Sequence, residues 1–137
     1  MIKRSRRSFI ANSAAITAAT LTSNSLVVSL TETSPMILHQ VFFWLKNSGS
    51  ITDRKKLIEG LSTLKAIPTI QQLHLGNPAA TEKRDVVDHS WDVSELMFFK
   101  DLKDQQAYQD HPIHKTFIKN YGHLWSRVVV YDIATIE

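Results

Sequence analysis

The stretch MILHQVFFWLK, Met36–Lys46, decides how this chain folds, because it is apolar on both of its alternating faces. It is dense in β-forming residues and is ended by Asn47-Ser48-Gly49-Ser50, so it is expected to be a strand. Strand side chains alternate, which puts Ile37, His39, Val41, Phe43 and Leu45 on one face and Leu38, Phe42 and Trp44 on the other. A strand apolar on both sides has to be covered on both sides.

Toward the C-terminus the elements alternate. Thr52 or Asp53 is expected to cap a helix running to about Ala66, with Leu57, Ile58, Leu61 and Leu64 as its buried stripe and Pro68 as its stop. A second strand, Ile70–Leu75, ends at Gly76-Asn77-Pro78, and the polar stretch AATEKRDVVDHS leads into a third, Trp91–Lys100. Asp101 suits the N-cap of a helix starting at Leu102. Inside a continuous helix Pro112 would cost about 3 kcal/mol or force a kink, but it can open a new one. The run AYQDHPIHKTF, Ala107–Phe117, is therefore a helix–proline–helix joint, with Ile113, Phe117 and Tyr121 on the apolar side of its second segment. Gly122 ends that segment, and a last strand, Trp125–Ile133, is built around Val128-Val129-Val130.

The order is βαββαβ, an α+β ferredoxin-like pattern. Four strands make one sheet, and two helical segments cover only one of its faces. With no further segment to cover the other, a second copy of the chain is the economical partner. The expected assembly is a homodimer, a dimeric α/β barrel with a cavity between the sheet and the helix ends.

At 137 residues the chain supports one domain. Its formal net charge of +3 is unevenly placed: Lys3, Arg4, Arg6 and Arg7 sit in the first seven residues, while from Met36 onward twelve Lys and Arg balance twelve Asp and Glu. A nucleic-acid binder needs its cations in the folded module, so nucleic acid is not an expected partner. Ser5-Arg6-Arg7-Ser8-Phe9-Ile10 resembles a twin-arginine export signal, and Ala11–Leu30 is weakly apolar but too polar for a stable membrane span. Residues 1–33 are accordingly read as an export signal outside the fold, the protein as periplasmic or otherwise exported, and residues 36–135 as the domain. No Ala-x-Ala cleavage site marks the start of a mature chain, and the absence of cysteine excludes a disulfide framework.

Tyr108, His111 and His114 are spaced by three, close together on helical geometry. His111, directly before Pro112, suits capping of the second segment. His111 and His114 lack a third ligand at a recognised spacing, so no metal and no cofactor is expected. His74, His89 and His123 have no converging partners and default to the surface. Glu95 is the unexpected residue: Trp91, Val93, Glu95, Met97 and Phe99 share one face of a strand that is central in the ferredoxin-like order. Buried and unpaired, its carboxyl would cost several kcal/mol or shift its pKa upward. It is expected to face the cavity or to pair with a basic or histidine side chain, the alternative being that it leans out at a barrel end.

From about Leu38 to Ile133 the chain resembles the Dabb family, the stress-responsive dimeric A/B-barrel proteins. The resemblance rests on His39 and the apolar run to Lys46, on Gly76 closing the second strand, and on Trp91-Asp92 opening the third. Above all it rests on Tyr108-Gln-Asp-His111-Pro112-Ile113-His114, followed by Phe117 and the Val-x-Val-Tyr-Asp ending at Asp132. It implies a cavity in which polyketide-cyclase members use the tyrosine and second histidine of that run, here Tyr108 and His114. His39 would line the same cavity, with Val41, Phe43 and Glu95 as further substrate-binding residues; the family pattern is usually aliphatic at Glu95. A neutral imidazole can take a proton from the carbon beside a carbonyl, and a phenol can hydrogen-bond the enolate oxygen that forms. The leading expectation is a protein that binds a small, largely apolar carbonyl compound, with no specific activity assigned. One alternative is a cofactor-free lyase or polyketide-cyclase-like enzyme with His114 as base and Tyr108 as hydrogen-bond donor. Another is a stress-protective oligomer whose interior is packed core.

Overall fold

A computed structural model describes residues 34–136; the stretch read as an export signal, residues 1–33, lies outside the described residues. The elements are β1 (Ile37–Leu45), α1 (Ile51–Thr63), β2 (Gln72–Gly76), β3 (Val93–Phe99), α2 (Leu102–Asp110), α3 (Pro112–Tyr121) and β4 (Trp125–Ala134). Short 3-10 turns follow α1 at Leu64–Ala66 and α3 at Gly122–Leu124. The strands form one antiparallel sheet in the order β2-β3-β1-β4. This is the ferredoxin-like α+β fold, with β1 and β3 in the middle.

The alternation of β1 appears directly in its burial. Ile37, His39, Val41, Phe43 and Leu45 are buried beneath the helices, with Val93, Glu95, Met97 and Phe99 of β3 beside them. Leu57, Leu61 and Leu64 close over this face, joined by Ile67, Tyr108, Phe117 and Leu124; Ile58 is only partly buried. The opposite face carries Phe42 and Trp44 of β1 half-buried, and Tyr131 and Ile133 of β4 exposed.

Element ends shift by a residue or a few from the expected ones, and three of the starts do so for a clear local reason. Ser50, not Thr52 or Asp53, caps α1: its hydroxyl accepts from the Asp53 N–H at 3.2 Å, while Asp53 accepts from the Asn47 side-chain amide at 2.7 Å. Strand β2 starts at Gln72 rather than Ile70, because the Ile70 N–H is spent on a turn to the Ile67 carbonyl at 3.2 Å. Strand β3 starts at Val93 rather than Trp91, because Asp92 serves as a tie. Its buried carboxylate accepts from the Leu45 and Gly49 N–H groups at 2.9 and 3.3 Å, and Arg54 stands 3.7 Å away. Gly49 sits at φ +78°, which a side chain would strain, so this β1–α1 turn needs its glycine.

Gly60 is the point where α1 meets α3. A Cβ there would lie 2.6 Å from ring atoms of Tyr121. Glycine to alanine inside a helix ordinarily stabilises by about 1 kcal/mol, but here the overlap reverses the sign. Gly60→Ala is expected to destabilise the fold by about 1–3 kcal/mol in urea unfolding, and in a Tyr121→Ala background the same change should become neutral or stabilising.

Candidate functional site

Proline has no N–H, and that single omission organises the joint between α2 and α3. A continuous helix would bond the Tyr108 carbonyl to residue 112; instead it accepts from the His111 N–H at 3.1 Å, one residue early. The Ile113 N–H, which would have gone to Gln109, is taken by Nδ1 of His111 at 3.2 Å, so His111 caps α3 as its position suggested. That leaves the Gln109 carbonyl open, and Nδ1–H of His114 donates to it at 3.1 Å. A carbonyl can only accept, so this bond puts the proton on Nδ1 and leaves Nε2 as the basic nitrogen of a neutral imidazole. Burial foremost lowers the His114 pKa from its usual value; the Gln109 bond opposes this and the charge of His39 adds to it.

Next to His114, its ring centroid 4.4 Å away, lies Tyr108, which also packs on Phe99 at 5.2 Å and edge-on to His39 at 5.5 Å. Burial, then the carboxyls of Glu95 and Asp132, raise the Tyr108 phenol well above its ordinary range, so it stays a neutral donor. His39 is buried on β1, and its Nδ1–H meets the carboxylate of Asp132 on β4 at 2.5 Å. The two are cross-strand partners, which fixes the orientation of the ring. Glu95 is 2% exposed, and its Oε2 has no hydrogen-bond partner. Burial pushes its carboxyl up to about 8.

All six residues singled out from the sequence, His39, Val41, Phe43, Glu95, Tyr108 and His114, line one cavity of about 140 Å³ between the β1/β4 side of the sheet and the α2–α3 joint. Phe117, Trp125, Val128 and Val130 complete its apolar wall. Asp132 is the polar partner that sequence reasoning missed. It belongs to the β4 face that also carries Val128 and Val130, but only the β1–β4 register reveals its pairing with a histidine 93 residues away. His74 and His123 are exposed and His89 is half-buried; His74 and His89 bond to Gln72 and Thr81 side chains away from the cavity. Among the described residues no three His, Asp or Glu side chains gather as a metal-holding group. A larger concavity of about 200 Å³ lies on the open sheet face between Phe42, Trp44, Trp91 and Tyr131. It contains Asp88 and Arg127 but no imidazole, and Arg127 is occupied over the Trp44 ring at 4.4 Å.

The raised Glu95 pKa makes stability fall as pH rises. Its carboxyl holds a proton to about pH 8 in the folded chain, against 4.5 ordinarily, so the folded state binds the extra proton between those values. His114, lowered from 6.5, acts in the opposite direction but only below that value. Between pH 6.5 and 8 the unfolding free energy should therefore drop, with a slope of up to about 1.4 kcal/mol per pH unit. Glu95→Gln should remove that part of the slope in urea midpoints measured across the range; equal slopes would mean that the folded chain holds an ionised carboxylate.

The chain matches the Stress responsive A/B Barrel Domain family, Dabb, over residues 37–135. No curated protein matches it. Among solved structures it is similar to a Dabb family protein with a ferredoxin-like fold from Mesorhizobium loti, at 22% identity and TM-score 0.62, covering 76% of this chain and 100% of that one. It is also similar to a hydroxynitrile lyase from Passiflora edulis, at 20% identity and TM-score 0.62 over 75% and 95% of the two chains. A dimeric ferredoxin-like protein of unknown function from Thermobifida fusca matches at 20% identity and TM-score 0.61 over 74% and 92%. The four-stranded sheet, the helix–proline–helix joint and the family match over nearly all of the described residues together make this chain a member of the Dabb family.

Proposed function

We propose that the cavity beneath α2 and α3 binds a small, largely apolar carbonyl compound. The observation that carries this is the convergence of a phenol donor, Tyr108, and an imidazole held with Nε2 basic, His114, on one cavity whose other walls are mostly hydrocarbon. An engineered cavity of about 150 Å³ accommodates benzene, so a space of about 140 Å³ suits a ligand near the size of one ring. A protective oligomer with a filled interior would have no use for an unfilled space lined by these groups. Mass spectrometry of the protein purified under native conditions should find a neutral compound of this size; the binding reading fails if nothing is retained and no carbonyl probe perturbs the His39 and His114 resonances.

A second reading, a cofactor-independent lyase or cyclase acting on such a compound, is favoured by the contact between the Tyr108 and His114 rings. Nε2 of His114 would take the proton from the carbon beside the carbonyl, the bonding pair would move to the oxygen, and the Tyr108 hydroxyl would hydrogen-bond the resulting enolate. His114→Ala should abolish turnover or ligand retention at little cost in stability. Tyr108→Phe should keep the fold and lower any rate by about 10²–10³. His111→Ala should behave in the opposite way, losing about 1 kcal/mol of stability through its cap with little effect on the ligand. Measuring thermal stability and binding on all three together is decisive: if His114→Ala is the most destabilised and binds normally, His114 is structural.

We propose a homodimer joined through the open face of the sheet. Phe42, Trp44, Val129 and Tyr131 sit together there, Tyr131 is 57% exposed, and relatives with this fold are described as dimeric. Sedimentation at micromolar concentration should give a dimer, and Val129→Asp should dissociate it with loss of the fold or aggregation. A stable, well-folded wild-type monomer contradicts the assembly.

A further inference from the structure

Glu95 has no part in the proton transfer outlined above, yet it occupies a costly position. It sits mid-strand on β3, between Val41 of β1 and Leu75 of β2, where neither cross-strand neighbour offers it a side-chain polar group. It lines the cavity at 2% exposure with Oε2 unpartnered. A buried polar atom without a partner is costly, whereas the neighbouring histidines each have one ring nitrogen engaged, His39 by Asp132 and His114 by Gln109.

We infer that Glu95 acts as a neutral hydrogen-bond donor recognising an oxygen acceptor on the ligand, which restricts the ligands of this cavity to ring-sized compounds bearing a carbonyl and disfavours hydrocarbons of the same shape. The inference rests on the carbonyl-binding reading and narrows it. A carboxylic acid donates one O–H and is a better match for a carbonyl oxygen than a carboxylate, which only accepts and would repel it. The raised pKa agrees with this, keeping the group protonated through neutral pH. The titratable groups around the same space are His39 on β1 with Asp132 on β4 behind it, Tyr108 on α2 and His114 on α3; β2 turns Leu75 toward Glu95 and adds none.

Acetophenone and α-methylstyrene have nearly the same shape and differ in presenting C=O or C=CH₂, so the ratio of their affinities reads out the donor. Protein NMR titrations at pH 6.5 should show wild type preferring acetophenone by at least about tenfold, the worth of roughly one hydrogen bond. Raising the pH to 9 should erase about that factor. Glu95→Leu should lose about tenfold of the preference at pH 6.5, whereas Glu95→Gln, whose amide still donates, should keep it at both pH values. Because the preference is a ratio within one protein, a general loosening of the cavity leaves it unmoved, and the glutamine variant stands in if the leucine variant does not fold. Any pH dependence that persists in Glu95→Gln belongs to the other groups. If Glu95→Leu keeps the preference, the assignment of Glu95 is overturned and carbonyl binding stands. If wild type binds both probes equally, no donor in the cavity reads the carbonyl and both readings fall. If wild type binds neither probe, the carbonyl-binding reading falls and this inference with it.

Discussion

The N–H that Pro112 lacks is the constraint from which the site follows. A single uninterrupted helix from Leu102 to Tyr121 would satisfy its own backbone and leave no carbonyl for a side chain to use. The break redirects three bonds at once: His111 N–H to Tyr108, Ile113 N–H to the His111 ring, and the freed Gln109 carbonyl to His114. The last fixes the tautomer of His114, and the bend brings its ring against that of Tyr108 although they lie on different helices. The tyrosine and the two histidines of the run thus have separate tasks. One presents a hydroxyl, one holds the start of α3, and one is left with a basic nitrogen.

The sheet imposes the second set of conditions. Because β1 and β3 are central, every alternate residue on their inner face lies under helices, and a polar group there must find a partner or change its protonation. His39 finds Asp132 on the neighbouring strand, and Asp92 finds the N–H groups of the β1–α1 turn. For Glu95 no partner is supplied to Oε2, so its burial is relieved by a proton instead. The same alternation that packs Val93, Met97 and Phe99 into the core therefore sets a protonated carboxyl among the cavity walls. The opposite face, with Phe42, Trp44 and Val129, follows from the same period of two and remains apolar where the helices do not reach.

Local chemistry made much of this legible in the sequence alone. The period of two in ILHQVFFWL and VSELMFF separates inner from outer residues, Asp101 caps α2, Pro112 opens α3, and His111 is placed to cap it; each depends on neighbours within a few positions. From these came the element order and, with the family's residue pattern, all six residues that the fold gathers around one cavity. Competition between nearby alternatives blurred the rest: Ser50, Thr52 and Asp53 all resemble caps, and only the backbone entering α1 selects Ser50. Whether Ile70 extends a strand or closes a turn likewise depends on where Phe98 of β3 lies to receive the chain.

What the tertiary structure alone decided is which distant groups meet. The pairing of His39 with Asp132 is set by β1–β4 register, and a slip of one residue would send Asp132 to the opposite face. The contact of Gly60 with the Tyr121 ring is set by how closely α1 approaches α3, a distance no helical pattern encodes. Glu95 shows the division within one residue. Its place on the inner face was readable from alternation, but its lack of a partner was not, because being unpartnered is a property of everything that surrounds a group and none of that is local in the chain.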